Sequence, residues 1–505
     1  MLRAAFIVPL VIYVTRILYR FFIWKRKTAH LPCYGPAGIF GYYYTAVRYT
    51  FHSVECMQDA ISKYNGRPFI MPTLINGAIL VAGPQYIDFL RKSDDSIFSQ
   101  KAAIQEATQL DYTLDPHQLK NPYAIGILLG EVTREIDKYI PDIVDETVLA
   151  LDAALPFAKT NQVSVPLFHS MTSMIARVVN RSFVGPELCR DQDYIRASIR
   201  YAQTFIMYGM VLKLFPGFMK SSVYALLAAL FGGKEEPARH LLPHLANYIK
   251  QREEGKRSTT IVEALIAASG ENAEQLTMRV IALDFGSIHT LLVSIVVTQT
   301  LFELAAMTPP DVELIRSEVE DVLSQEGSWT KSALSRCSRL DSLLREVGRL
   351  HGVTIFSHER RTVQDAAFPD GIAVPGDTMV SVINLAVHLD PNIYPDPQKF
   401  DAFRFYRMRT AGDQDVKYDL ATIDSNNYLL FGLGRHACAG RFFAAAVLKL
   451  VIATILLKYD VTLPEGVGKR PKNKVFSGVI VPADRARVKF TKRDSVKLPS
   501  TSCSL

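Results

Sequence analysis

A single cysteine in a glycine-rich loop, set immediately ahead of a long helical run, constrains this 505-residue chain more than any other feature. The loop reads Phe431-Gly-Leu-Gly434-Arg435-His436-Ala-Cys438-Ala-Gly440, and the run after it spans Arg441 to Leu457. Gly434 and Gly440 let the backbone pass close to a flat group where a Cβ would collide. Amides at the helix start point toward the sulfur, and the positive end of the dipole favours the ionised thiol. A thiolate presented this way suits a proximal ligand to haem iron. The competing reading is an inert buried cysteine, the common fate of a free thiol. Chance agreement at all these positions arises in roughly one chain in ten thousand of this length, from average residue usage.

These residues resemble the haem-binding signature of the cytochrome P450 family, Phe-x-x-Gly-x-Arg/His-x-Cys-x-Gly. The resemblance implies a mainly α fold with small β-sheets, haem b as cofactor and Cys438 as axial ligand to its iron. Phe431, Gly434 and Gly440 belong to the same cofactor-binding set. His436 fills the place where most members carry an arginine that meets a haem propionate, and an imidazole can still donate a hydrogen bond there. Arg435 beside it is a second candidate for that contact.

Further signals lie in the family's order. Glu346-Val-Gly-Arg349 follows Leu343 and Leu344 in a helical pattern, so acid and base share one face at i and i+3. Alone, such a pair decorates many solvated helices. In the family it turns inward and is completed by the arginine of a Phe-x-x-Arg-Phe segment, matched here by Phe400-Asp-Ala-Phe403-Arg404-Phe405. Glu346, Arg349 and Arg404 would then form a buried brace that sets geometry rather than supplying stability. Val280 to Leu304 is a long apolar helix interrupted by Gly286-Ser287-Ile288-His289-Thr290. Family members carry small residues and a threonine here, opening a notch for dioxygen on the distal haem face. Thr290 is the expected catalytic hydroxyl, against the alternative of a bond back to its own helix carbonyl. His289 replaces the usual acid, and either relays protons or packs.

Composition sets the bounds. A hydrophobic content of 49% can bury a large core, and one catalytic domain over 39–492 accounts for most of the length. No flavin or nicotinamide fingerprint follows the cysteine loop. The resemblance therefore implies electrons from NADPH through a separate cytochrome P450 reductase, with cytochrome b5 as a further partner. A net charge of +7 without long single-sign runs suits an acidic flavoprotein or an anionic membrane, and gives no sign of nucleic-acid binding. The six scattered cysteines show neither metal-type spacing nor a disulfide framework.

Residues 1–27 read as a membrane anchor. Ala4 to Thr15 is charge-free, and extension to Trp24 reaches spanning length while admitting Arg16 and Arg20, which can snorkel. Lys25-Arg-Lys27 then places the following domain on the cytoplasmic side, implying a single-pass endoplasmic reticulum protein. A cleaved signal peptide is the rival, weakened by the lack of a small-residue cleavage site. A Pro/Gly-rich linker follows over 28–38, and a polar tail over 493–505.

Helical periodicity marks Pro141 to Leu155 and Met171 to Ser182. Leu212 to Phe231 is strongly apolar around Pro216-Gly217, and reads either as two core helices or as the family's membrane-dipping segment. Phe69 to Val81 predicts a hairpin turning at Asn76-Gly77, and Ala373 to Val382 a strand pair around Pro375-Gly376. Arg361 stands where family members direct an arginine at a haem propionate, with a surface strand arginine as the alternative. By the same resemblance Val353 to Phe356 and Phe476 to Val479 line the substrate pocket. Their apolar character, at Val353, Phe356 and Phe476, implies a hydrophobic small molecule.

Leu110-Asp-Tyr-Thr-Leu114, Ala176-Arg-Val-Val-Asn180-Arg181-Ser-Phe-Val-Gly185 and Gly440-Arg-Phe-Phe-Ala444 resemble fungal microsomal members related to ent-kaurene oxidase and the indole-diterpene oxidases. The expected activity is haem-dependent hydroxylation or oxidation of a terpenoid or related polycyclic natural product in fungal secondary metabolism. A polyketide or alkaloid substrate, a reductase-independent isomerase or dehydratase, and a non-catalytic haem-binding scaffold are the alternatives.

Overall fold

Apolar spacing of three and four residues dominates the chain, and the computed structural model is accordingly mostly helical with small sheets. It describes residues 21–493 with Thr15 and Tyr19, apart from 75–76, 116, 158–159, 287–291, 412–417 and 424–425. Two compact units emerge: Met1–Ala103 with Ile355–Val387 and Val475–Val479, and Ile104–Thr354 with His388–Lys474 and Ile480–Leu505.

The first unit holds helix α1 (Gly38–Phe51) and a five-stranded sheet. Phe69–Thr73 and Gly77–Ala82 form the predicted antiparallel hairpin, with Phe69 opposite Val81. Gly77 takes φ +71°, a conformation that suits glycine in a tight turn; Asn76 lies outside the described residues. The sheet continues through Met379–Ile383, Phe356–Thr362 and Phe98–Ser99.

Ala373 to Val382 departs from the expected strand pair. Ala373–Val374 pairs with Ala366–Ala367, whereas Met379–Ile383 runs parallel to Gly77–Ala82 and antiparallel to Phe356–Thr362. Every residue of Met379–Ile383 is buried, and a central sheet position satisfies that better than a local hairpin.

The second unit is built from α2 (Ile140–Ala154), α3 (Leu167–Val184), α4 (Gln192–Leu212), α5 (Gly217–Phe231), α6 (Ala273–Asp284), α7 (Leu292–Ala306), α8 (Ser338–His351), α9 (Arg404–Ala411) and α10 (Arg441–Lys458). Helix α10 is buried without interruption from Phe443 to Leu457, as an apolar run with no polar face requires. Beside these helices Gln162–Pro166, Arg487–Lys492 and Tyr459–Thr462 form an antiparallel three-stranded sheet that the sequence reading did not anticipate.

Helix α5 is not a core helix. Tyr224 is its one buried residue, while Phe218 is 86% exposed, Leu226 60% and Leu230 64%. Most of the expected anchor lies outside the described residues, although 21–27 are helical. Among the described residues no helix is long and apolar enough to cross a membrane. The polar tail beyond Arg493 is likewise outside them.

Candidate active site

The loop ahead of α10 is held by its own backbone. Phe431 is buried, and its carbonyl accepts from the Cys438 amide at 2.8 Å. Gly434 takes φ +68°, which a side chain would strain, and its carbonyl accepts from the Ala437 amide at 3.1 Å. A Cβ on Gly440 would meet no protein atom within 4 Å, so that face of the loop is open.

Cys438 is exposed, yet enough protein surrounds it that burial pushes its thiol pKa up. Those two facts agree for a thiol on the floor of a concavity. The Gly440 amide and the Arg441 guanidinium pull the other way, toward thiolate. By contrast, burial pushes Cys189 and Cys337 to about 12, and both are shut in the interior. The donor set therefore fits haem iron: a reachable sulfur, an amide and a cation directed at it, and an open glycine face beside it. Arg435 and His436 sit side by side, with Arg435 Nε donating to His436 Nε2 at 3.1 Å, which leaves Nδ1 as that ring's donor.

Behind the loop, Glu346, Arg349 and Arg404 come together in the interior. Arg349 meets both Glu346 oxygens, at 2.8 and 2.7 Å, and Arg404 Nε reaches Glu346 Oε1 at 3.1 Å. The remaining donors go to carbonyls: Arg349 to His388 and Pro397, Arg404 to Pro395, Asp396 and Lys399. A buried cluster this fully paired specifies geometry.

The sequence reading missed how this brace reaches the cysteine. His388 Nε2 accepts from the Leu429 amide at 2.9 Å, so Nδ1 carries the proton and donates to the Arg349 carbonyl at 3.1 Å. Burial, then the nearby Arg349 charge, pushes His388 down to about 3, and it is neutral. Leu429 lies two residues before Phe431, whose carbonyl holds Cys438. Gly348 completes the approach: a Cβ there would fall 2.5 Å from Tyr428 Oη and 2.7 Å from Leu430 Cδ2. Tyr428 in turn lies under the Arg345 guanidinium, 3.9 Å from its ring centroid. The signal available in sequence was a lone histidine in an apolar run, which points to no particular role.

A second missed pair ties α10 to α8. Lys449 Nζ lies 2.6 Å from Asp341 Oδ2 and donates to the Leu334 carbonyl at 2.8 Å, all of it buried.

On the other candidates, Thr290 and His289 lie outside the described residues; α6 and α7 flank them. Val353 belongs to the helical unit, where its carbonyl accepts from Ile480 at 2.8 Å. Phe356, Arg361 and Phe476 belong to the sheet unit. Phe356 is buried near Tyr49, and Phe476 packs edge-on to Phe51 at 5.9 Å. Arg361 pairs with Asp377, while its strand neighbour Arg360 is the wholly buried guanidinium.

The cytochrome P450 family model matches residues 116–490, and the chain belongs to that family. It is accordingly an oxidoreductase of the haem-thiolate class. Among its relatives, cytochrome P450 monooxygenase 103 of Postia placenta is 30% identical over 504 residues, covering 97% of this chain and 99% of that protein. Cytochrome P450 monooxygenase paxQ of Penicillium paxilli is 29% identical, covering 95% of each. Cytochrome P450 monooxygenase atmQ of Aspergillus flavus is 27% identical, covering 95% and 92%. The solved structure of retinoic acid bound cyanobacterial CYP120A1 shares the fold, with a TM-score of 0.63 at 20% identity over 89% of this chain and 96% of that one.

Proposed function

We propose that this chain hydroxylates or oxidises a terpenoid or related polycyclic natural product in fungal secondary metabolism. The observation that carries the catalytic part is the reachable Cys438 thiol, held by Phe431 and backed through His388 by the Glu346–Arg349–Arg404 cluster. Haem, when bound, supplies the dioxygen chemistry. The chain's own part is to fix the sulfur, hold the porphyrin edge and exclude water. Arg435, His436 and Arg361, with Arg360 beside it, are the donors we assign to the propionates. Thr290 and His289 are assigned to proton delivery at the distal face. Val353, Phe356 and Phe476 are assigned to the substrate. The apolar character of those segments and the Leu110–Leu114 and Ala176–Gly185 matches support the terpenoid reading.

Electrons are proposed to come from NADPH through cytochrome P450 reductase, with cytochrome b5 as an accessory. Residues 1–27 are proposed to anchor the chain in the endoplasmic reticulum with the catalytic domain cytoplasmic. The exposed apolar residues of α5 support contact with that bilayer.

A haem spin-state titration of the membrane-bound protein tests the substrate assignment, using diterpenoid, indole-diterpenoid, meroterpenoid and polyketide scaffolds. A saturable low- to high-spin shift with a terpenoid class is expected. A shift with polyketides alone would overturn it.

A further inference from the structure

A buried polar triad lies at the end of α6. Tyr194 Oη, on α4, lies 2.6 Å from Asp284 Oδ2 and 2.9 Å from Asn180 Oδ1, on α3. All three residues are buried. The orientation of the Asn180 amide is fixed, because its Nδ2 donates to the Ala176 carbonyl at 3.0 Å and a carbonyl can only accept. Tyr194 thus has an acceptor oxygen on each side and one proton to give. If Asp284 were ionised, one of these short oxygen–oxygen contacts would hold no proton. A proton on Asp284 Oδ2 satisfies both: Asp284 donates to Tyr194, and Tyr194 donates to Asn180.

We propose that Asp284 is a positioning residue kept as a neutral carboxylic acid, whose proton locks α4 and α3 to the last turn of α6, the helix leading toward residues 286–290. This reading goes beyond the proposed activity and does not depend on the substrate.

Among the described residues no cation pairs with the Asp284 carboxyl. Burial pushes its carboxyl up to about 7 against the hydrogen bonds of Tyr194 and Asn180. Near Tyr194 stand the Cys189 thiol and the ring of His240, 6.2 Å from the phenol ring, whose Nδ1 lies 3.1 Å from Asp191. Three described titratable groups on or near α6 have partners elsewhere. Arg279 pairs with Glu271, His117 lies 3.8 Å from Glu271, and His244 bonds the Val184 carbonyl. A second contact supports the same junction: Phe205 of α4 and Phe285 bring their ring centroids to 4.0 Å.

The test is infrared difference spectroscopy on the full-length, haem-loaded protein, wild type minus Asp284→Asn, at pH 6. A carboxylic-acid C=O stretch that shifts in deuterium oxide and weakens above pH 7 is expected. Only carboxylate bands in that difference would overturn the proposal. Tyr194→Phe keeps the acid and removes its acceptor, so it should move the band to higher frequency; an unmoved band contradicts the chain. Melting against pH supplies a readout that steric disruption would not produce. The folded acid keeps its proton to about 7 while the unfolded one releases it near 3.8, so the contribution of Asp284 to stability, read as wild type minus Asp284→Asn, falls as pH rises across that window and levels off above it. Asp284→Asn should remove that slope, and an identical slope in wild type and variant would overturn the assignment.

Discussion

At the residue scale, the two nitrogens of His388 carry the connection between brace and ligand loop. His388→Ala leaves the Leu429 amide and the Arg349 carbonyl unpaired in the core, at a cost of about 1–3 kcal/mol for each group. Denaturant unfolding measures that cost, and a change within experimental scatter would refute the connection. The ring's pH behaviour is a separate prediction. Its folded pKa is about 3 against an ordinary 6.5, so the folded state refuses a proton that the unfolded state takes. Its stabilisation is complete above 6.5 and is lost as pH falls toward 3, at up to about 1.4 kcal/mol per pH unit. The acid limb of the stability profile should flatten in His388→Phe. Cysteine chemistry was more legible at this scale, because Phe431, Gly434, Cys438 and Gly440 are close in sequence and each has a local physical reason. His388 acts across some forty residues of chain separation, and no local pattern announces such a bond.

At the element scale, α8, α9 and α10 are held together by buried charge. Removing Glu346 would leave two guanidiniums buried without their acid, a loss of about 3–5 kcal/mol. Glu346→Ala should therefore lose haem and unfold at lower denaturant, checked by haem content per chain alongside unfolding. The Lys449–Asp341 pair makes a different prediction. Lys449→Met alone strands Asp341 in the core, whereas the double variant Lys449→Met with Asp341→Leu should recover much of the loss in a double-mutant cycle. Helices α2 and α3 were readable from apolar periodicity, α10 as a long run following the cysteine loop, and Glu346 with Arg349 from i and i+3 spacing. The strand Met379–Ile383 was read with the wrong partner, because its neighbours in the sheet come from distant parts of the chain. The sheet containing Arg487–Lys492 went unseen because Lys489 and Thr491 alternate with Val488 and Phe490 over too short a run to stand out.

At the scale of the whole molecule, the exposed apolar residues of α5 carry the membrane prediction. Phe218→Ser, Leu226→Ser and Leu230→Ser together should weaken binding to phospholipid vesicles by roughly tenfold or more, from about 1.5–3 kcal/mol for each fully buried side chain. Flotation with the anchor retained and with it deleted separates the contribution of α5 from that of residues 1–27. Family membership itself rests on agreement between the cysteine loop, the buried brace and the match over residues 116–490. The central claim is that Cys438 is the thiolate ligand of a bound haem. The most direct measurement is the absorption spectrum of the reduced, carbon monoxide-treated protein, wild type beside Cys438→Ala. The thiolate-type carbonyl band should appear in the wild type and vanish in the variant, together with turnover. A wild type without that band, or a variant that keeps it, would contradict the account.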